Sequence, residues 1–228
     1  MAKPIQFLFD YVSPYAYLAS TQIRALGERH GREVEAIPIL FAGLLEATGS
    51  IPPAEIPARR DYLYKDIVRK ARLLDVAIDA PATHPFNPLT PLRVTGCVEE
   101  GPSRWRLVDA LYRATWVQEQ RVDQPEIVAG IATEAGFDGA ALVEQAGTEE
   151  AKLRLRRATD EAIEAGVFGV PTILADGQLF WGIDSLPLLE RFLDGENAID
   201  AGVSERWARV KPSTQRRPKA DLTKAFTF

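Results

Sequence analysis

Cysteine and histidine are scarce in this chain. Of its 228 residues one is cysteine and two are histidine. The single Cys97 cannot form an intramolecular disulfide, and no Cys-x-x-Cys pair is present for thiol–disulfide exchange or zinc binding. Neither histidine has an acidic cluster at ligand spacing, and His84 shows no partner pattern, so we expect no metal site. Disulfide and metal chemistry of the protein's own are therefore not predicted.

A basic excess and a long apolar run are also missing. The net charge of -5 and the pI near 5.2 argue against nucleic-acid binding, because phosphate contacts need a basic face. No apolar run approaches the roughly 18 residues that span a bilayer. The N-terminus shows no cationic stretch followed by an apolar one, as a secretory signal would. We therefore expect a cytoplasmic protein without a membrane or nucleic-acid partner.

What the sequence does contain begins with a strand and a helix. The apolar run from Ile5 to Phe9 predicts a strand buried on both faces. Ser13 and the proline after it predict a helix start, with a hydroxyl at the N-cap and proline at the first helical position. This helix is predicted over Pro14 to His30, and a second strand over Val34 to Leu40. The order strand, helix, strand favours a right-handed parallel unit.

The middle of the chain is predicted to be mostly helical. Residues 41–61 are rich in proline and glycine and predict a long, partly ordered loop. Apolar spacing predicts a helix over 62–76, and a proline-rich segment follows over 79–94. Further helices are predicted over Pro91 to Glu100, Arg104 to Gln118, Gln124 to Ala135, Gly139 to Gln145 and Thr148 to Ala165.

Strand character returns in the stretch "GVPTILADGQLFWG". Two short apolar runs are joined there by Asp176-Gly177, a strong signal for a two-residue hairpin. A last helix is predicted over Leu186 to Leu193, capped by Asp184 or Ser185. From Glu196 onward the chain is a polar extension. These patterns predict an α/β fold with a helical insertion.

The order of elements resembles the thioredoxin topology. The segment "GVPT" before the third strand resembles the cis-proline loop of that fold and predicts a cis Val170–Pro171 bond. The opening "FDYVSPYAYLA" is similar to that of kappa-type glutathione transferases and 2-hydroxychromene-2-carboxylate isomerases, in the DsbA-like branch. The stretches "IPARRDYLYKD", "FNPLTPLRV" and "GVFGVPTILADGQLFWGIDSL" agree, so that the likeness covers about Ile5 to Leu193.

The resemblance implies a division of the chain. A thioredoxin-like (DsbA-like) domain that binds glutathione is expected over 1–42 and 150–195, interrupted by an inserted all-helical domain over 43–149. Residues 196–228 form the C-terminal extension. We expect the active site between the two domains, because small-molecule pockets usually form in such clefts.

The resemblance gives Ser13 a chemical role. In the redox members of the fold a Cys-Pro-x-Cys motif occupies the positions of Ser13 to Ala16, and both sulfurs are absent here. A helix N-terminus favours an anion, including a thiolate. The resemblance implies that Ser13 is catalytic and stabilises the thiolate of bound glutathione. The alternative is that Ser13 only caps the helix. The two roles are not exclusive, although the hydroxyl has a single proton to donate.

Other residues are implied to bind glutathione. They are Ser13, Arg59, Val170, Trp181, Gly182, Asp184 and Ser185. Arg59 is expected to pair with the glycyl carboxylate, and the Val170 backbone with the peptide backbone, as in a short β-augmentation. Asp184 is expected to meet the ammonium of the γ-glutamyl end, and Ser185 its carboxylate. The alternatives are a surface arginine, a strand end and a helix cap.

The resemblance also implies an activity. Phe86 and Asn87 lie where the family borders its second-substrate pocket, although an ordinary structured loop is the alternative. The implied activity is a glutathione-dependent cis-trans isomerisation of an aromatic substrate, 2-hydroxychromene-2-carboxylate, in aromatic hydrocarbon degradation, by a homodimer. Two alternatives stay open, a kappa-like glutathione transferase or peroxidase and a non-catalytic DsbA-like protein that binds thiols or peptides. Ser50 stands where the family usually has asparagine.

Overall fold

The structure, a computed structural model, describes residues 3–196 and 199–214. Its strands are β1 (Ile5–Phe9), β2 (Val34–Pro38), β3 (Thr172–Ala175) and β4 (Gln178–Trp181). Its helices are α1 (Pro14–Arg29), α2 (Phe41–Thr48), α3 (Pro57–Leu73), α4 (Leu89–Cys97), α5 (Pro102–Trp116), α6 (Pro125–Glu134), α7 (Gly139–Ala146), α8 (Glu149–Glu164), α9 (Leu186–Leu193) and α10 (Ala201–Ala208). No helix in these described ranges combines the length and apolar character that crossing a membrane requires.

The four strands form one mixed sheet in the order β2-β1-β3-β4. β1 is parallel to β2 and antiparallel to β3, and β3 is antiparallel to β4. The predicted parallel unit and the predicted hairpin are therefore confirmed. The hairpin turn has positive φ at both central residues, 47° at Asp176 and 81° at Gly177, as a type I′ turn requires.

The predicted loop over 41–61 is wrong for much of its length. Phe41–Thr48 is a helix, Pro53–Glu55 is a 3-10 turn and α3 already begins at Pro57, five residues before the predicted start. The side chain of Asp10 stabilises the start of the helix Phe41–Thr48, because its Oδ2 accepts the N–H of Phe41 at 2.9 Å. The proline of α3 occupies the first helical position, where it begins a helix instead of breaking one.

The second strand ends at Pro38, two residues before the predicted end. Leu40 is the N-cap residue of α2, and it donates its N–H to Thr159 Oγ1 at 3.0 Å. The last residues of the apolar run from Val34 to Leu40 therefore lead into α2 and do not extend β2. The other predicted helices begin and end within three residues of the observed ones.

Residues from both predicted domains share the main core. The rings of Phe7 and Trp105 stack with centroids 5.8 Å apart, and those of Phe9 and Tyr112 are 5.7 Å apart. The same core includes Ile173 of β3. The division into domains over 1–42 with 150–195 and over 43–149 stays a prediction. Of the extension over 196–228, residues 197–198 and 215–228 lie outside the described residues.

Candidate functional site

Ser13 stands at the start of α1, where its hydroxyl joins the helix to the cis-proline loop. Its Oγ accepts the N–H of Ala16 at 3.2 Å, which is the predicted N-cap contact. The same Oγ donates to the carbonyl of Val170 at 3.3 Å. Only 8% of the residue is exposed. The single hydroxyl proton therefore has a partner within the chain, and it reaches another acceptor by rotation about the C–O bond.

The loop opposite Ser13 contains a cis peptide between Val170 and Pro171, as predicted. The Val170 backbone was expected to pair with a ligand through a free N–H and a free carbonyl, but the carbonyl already accepts the Ser13 hydroxyl, so this detail is corrected. Its second lone pair stays available. Among the described residues the N–H of Val170 has no hydrogen-bond acceptor. The loop is tied to the end of β4 because Gly182 donates its N–H to the Pro171 carbonyl at 2.9 Å.

An exposed aromatic pair flanks this loop. The ring centroids of Trp181 and Phe168 lie 5.0 Å apart, and 53% of Trp181 is exposed. Gly169 lies beneath them, since a Cβ there would stand 2.6 Å from the Trp181 Nε1. Sequence reasoning missed Phe168. The available signal was the glycine after it, which permits close approach of a ring to the backbone.

Asp184 and Ser185 lie in a 3-10 turn before α9. Ser185 occupies the N-cap position, but its side chain does not cap the helix; its hydroxyl donates to the Trp181 carbonyl. Its N–H donates to the Gly182 carbonyl at 3.1 Å. Both donors of Ser185 are therefore engaged within the chain. The Asp184 side chain is 79% exposed and pairs with Lys70, whose Nζ is 3.1 Å from Asp184 Oδ1.

Lys70 belongs to a chain of polar contacts that leads back towards Ser13. Tyr15, two residues after Ser13, donates its hydroxyl to Asp66 Oδ2 at 2.7 Å, and Lys70 Nζ lies 3.3 Å from the same oxygen. Partial burial lowers the pKa of Lys70, but hydrogen bonds to Asp184 and Asp66 outweigh it and the pKa is raised. Sequence reasoning missed this chain. Its one local signal was the i,i+4 spacing of Asp66 and Lys70 on α3.

Asp10 holds the loop that carries Ser13. Its Oδ1 accepts the N–H of Val12 at 3.0 Å, its Oδ2 accepts that of Phe41, and its carbonyl accepts the N–H of Ser13 at 3.1 Å. The residue is fully buried. Burial raises the pKa of Asp10 to about 7, against the lowering effect of the bonds from Phe41 and Val12. The carboxyl thus fixes both the turn before α1 and the start of α2.

His84 reaches the same turn from the segment between α3 and α4. Its Nε2 lies 3.0 Å from the Val12 carbonyl and its Nδ1 lies 3.2 Å from the Tyr64 hydroxyl. We assign the proton to Nε2, which donates to the carbonyl, while Tyr64 donates to Nδ1. The sequence pattern gave no sign of these two hydrogen-bond partners. Burial lowers its pKa, partly offset by the bond to Val12.

Three predicted site residues lie apart from these contacts. Arg59 is exposed on the first turn of α3, and its side chain makes no ion pair within the described residues. Phe86 packs against the main core, and Asn87 Oδ1 accepts the N–H of Leu89 at 3.0 Å. The described residues give neither Phe86 nor Asn87 a hydrogen bond or ring contact with Ser13. Their roles stay predictions.

Comparison with known proteins decides the family. The model of the DSBA-like thioredoxin domain matches residues 4–194. The chain belongs to this family. It is 30% identical over 196 residues to 2-hydroxychromene-2-carboxylate isomerase of Sphingobium xenophagum, covering 85% of this chain and 99% of that relative. It is 25% identical over 226 residues to glutathione S-transferase kappa 1 of Rattus norvegicus, covering 93% and 96%.

A solved structure agrees with these relatives. This DSBA-like chain is similar to selenomethionine 2-hydroxychromene-2-carboxylate isomerase, with a TM-score of 0.78 and 26% identity over 84% of this chain and 94% of that one. The family and fold that the resemblance implied are therefore confirmed. Within the described residues, no group of three or more His, Cys, Asp or Glu side chains is placed to hold a metal ion.

Proposed function

We propose that this DSBA-like protein is a glutathione-dependent isomerase that acts on 2-hydroxychromene-2-carboxylate or a close aromatic analogue. The observation that carries the proposal is the buried Ser13 hydroxyl at the N-terminus of α1, 3.3 Å from the carbonyl of the cis-proline loop. A hydroxyl at this position can donate a hydrogen bond to a sulfur anion, but it cannot form a mixed disulfide. The 30% identical relative, itself named an isomerase, supports this reading.

The polar groups around Ser13 fit a glutathione molecule. The N–H of Val170, which has no acceptor among the described residues, suits its peptide backbone, and the exposed carboxylate of Asp184 suits its ammonium. Farther from Ser13, Arg59 on the first turn of α3 is proposed for its glycyl carboxylate, and Trp181 and Gly182 border the loop of Val170. Bound there, glutathione supplies the thiol that becomes the nucleophile.

The protein's own contribution is to stabilise a thiolate and to hold the substrate. Ser13 turns its proton from the Val170 carbonyl to the sulfur, and the positive end of α1 acts in the same direction. Both effects lower the pKa of a thiol, so more of it is ionised at neutral pH. The walls of the site, for which Phe86 and Asn87 are proposed, keep the aromatic substrate within reach of the sulfur.

A kappa-like glutathione transferase or peroxidase is the second candidate. The 25% identity to the rat kappa 1 enzyme over 93% of this chain favours it. The two functions differ in the fate of glutathione, which an isomerase regenerates and a transferase consumes. Titration of free thiol during turnover of the chromene separates them. An unchanged thiol concentration during complete conversion is expected, and stoichiometric loss would favour the transferase.

The residue-level test is Ser13→Ala. We expect kcat to fall about 100-fold, as when one donor to a developing anion is removed, with glutathione affinity largely kept. The measurement is the rate of chromene isomerisation at millimolar glutathione, with circular dichroism to confirm folding, because the cap is lost as well. The matched control is Ser20→Ala, which removes a hydroxyl from the same helix and should leave kcat unchanged. An unaltered kcat in Ser13→Ala would reduce Ser13 to a cap.

A further inference from the structure

The pair formed by Lys70 and Asp184 presents two opposite charges side by side at the edge of the site. Their charged atoms are 3.1 Å apart, with 79% of the Asp184 side chain and 24% of the Lys70 side chain exposed. A second ion pair to Asp66 and the Tyr15–Asp66 hydrogen bond hold the ammonium of Lys70 in place. Tyr15 lies on the first turn of α1, so this pair belongs to the surroundings of Ser13.

The α-amino acid head of a γ-glutamyl group carries the complementary pattern. Its ammonium and its carboxylate are attached to one carbon, so both must find partners that lie close together. Asp184 offers a partner for the ammonium. Ser185 was expected to hold the carboxylate, but its hydroxyl donates to the Trp181 carbonyl and its N–H to the Gly182 carbonyl. Among the described residues, Lys70 is the cation that forms an ion pair with Asp184.

We propose that Lys70 binds the α-carboxylate of the γ-glutamyl group, so that Lys70 and Asp184 together select a zwitterionic ligand head. This inference rests on the proposed use of glutathione and names a residue that the family resemblance did not supply. Lys70 keeps its contact with Asp66 while its partly exposed ammonium turns from Asp184 to the ligand. The ligand ammonium then replaces Lys70 as the partner of Asp184. Four alternating charges result, and none is left without a partner.

The arrangement is prepared before any ligand arrives. Tyr15 and Lys70 share the Asp66 Oδ2 oxygen, at 2.7 and 3.3 Å, which restricts the long lysine side chain. Ordering a flexible lysine only on binding would cost side-chain entropy. The raised pKa of Lys70 keeps its ammonium charged at any physiological pH. A carboxylate therefore meets a fixed, permanently charged donor.

The test compares glutathione with an analogue in which 4-aminobutyryl replaces the γ-glutamyl group. The analogue keeps the amine and lacks the α-carboxylate. Dissociation constants are measured by calorimetry for the wild type, Lys70→Met and Lys65→Met. Methionine preserves most of the apolar stem of lysine. Lys65 is exposed on the same helix and makes no ion pair with another described residue, so its substitution controls for net charge.

We expect the wild type and Lys65→Met to prefer glutathione about ten-fold or more, the cost of losing one charge-assisted hydrogen bond. Lys70→Met should bind the two ligands nearly equally, because the carboxylate has lost its partner. If Lys70→Met weakens both ligands by the same factor and keeps the preference, Lys70 acts only by placing Asp184 and the inference is overturned. A wild type that prefers neither ligand overturns it as well.

Failure of the proposed function gives a different result. A wild type that does not bind glutathione at millimolar concentration overturns the proposed function together with this inference. Binding with an unchanged preference in Lys70→Met overturns the role of Lys70 alone. A glutaryl analogue, which keeps the carboxylate but lacks the amine, tests the role of Asp184 in the same binding measurement. Its disadvantage relative to glutathione should disappear in Asp184→Asn, and a disadvantage that persists there contradicts the paired selection.

Discussion

At the scale of single residues, Asp10 shows how burial and hydrogen bonding oppose each other in one side chain. Both carboxyl oxygens accept backbone N–H groups, which favours the ionised form. Complete burial favours the neutral form more strongly and raises the pKa from 3.8 to about 7. Between pH 3.8 and about pH 7, Asp10 is therefore protonated in the folded protein and ionised in the unfolded chain. The stability that Asp10 contributes is complete below pH 3.8 and is lost as the pH rises through about 7.

The substitution Asp10→Asn tests this dependence. We expect the wild type to exceed the variant in free energy of unfolding most at pH 4, and this advantage to shrink by up to about 4 kcal/mol towards pH 8. The variant is also less stable by about 1–3 kcal/mol at low pH, since one N–H loses its acceptor. Urea denaturation at several pH values measures both. An advantage that is constant over this pH range would contradict the raised pKa.

Single residues also differ in how far the sequence could predict their roles. The cap contact of Ser13 is local, because its partner Ala16 is three residues away, and it was predicted. The partner of His84 at Val12 lies 72 positions away and follows from the fold alone. Lys70 and Asp184 come from two elements that no local pattern connects. Contacts of this kind were therefore missed, while those within one turn were found.

At the scale of elements, His84 fastens the segment between α3 and α4 to the turn before α1. Its ring donates to Val12 and accepts from Tyr64, so it is neutral in the folded state. The lowered pKa means that the unfolded chain takes up a proton first as the pH falls. The stability it contributes is present above the unfolded pKa of 6.5 and is lost as the pH falls through the folded pKa.

The substitution His84→Gln isolates this contribution. Glutamine can donate to the Val12 carbonyl and accept from Tyr64, but it does not titrate. We expect the wild type to lose stability relative to the variant between pH 7 and pH 5, measured by chemical denaturation. Parallel curves for wild type and His84→Gln would show that His84 does not titrate in this range.

Elements could be predicted where the pattern within the segment decides their structure. The hairpin at Asp176-Gly177 and the helices from α4 to α9 follow from turn residues, capping residues and apolar spacing. α2 was missed because its sequence is short and lies beside prolines. Its first N–H groups find partners outside the segment, on Asp10 and Thr159. Such distant acceptors cannot be recognised from the residues of the helix itself.

At the scale of the whole molecule, the family could be predicted from the sequence and the substrate could not. The "SPY" turn and the cis-proline loop, two segments that carried the family resemblance, meet at Ser13. The substrate depends on the walls of the site, for which Phe86 and Asn87 are proposed. Phe86, Asn87 and Phe168 belong to segments whose positions follow from tertiary packing. Local sequence patterns therefore indicate the family but not the substrate, because the substrate depends on tertiary packing.

The shared core leads to a prediction for the whole chain. Trp116, at the end of α5, is fully buried and donates its indole N–H to the Tyr11 carbonyl at 3.0 Å, which joins the inserted helices to the loop after β1. Trp116→Phe leaves that buried carbonyl without its donor and should cost about 1–3 kcal/mol. Since β1 and α5 contribute to one core, we expect them to unfold together.

Hydrogen exchange with mass spectrometry under mild denaturant measures this coupling. Peptides that cover β1 and α5 should open with the same free energy, and Trp116→Phe should lower both by the same amount. The matched control is Trp207→Phe, because Trp207 is 72% exposed on α10 and its substitution should change neither peptide. If α5 opened at lower free energy in Trp116→Phe while β1 kept its wild-type protection, the helical segment would be an independent folding unit. We expect the coupled behaviour, because unfolding of α5 alone would expose the rings of Phe7 and Phe9.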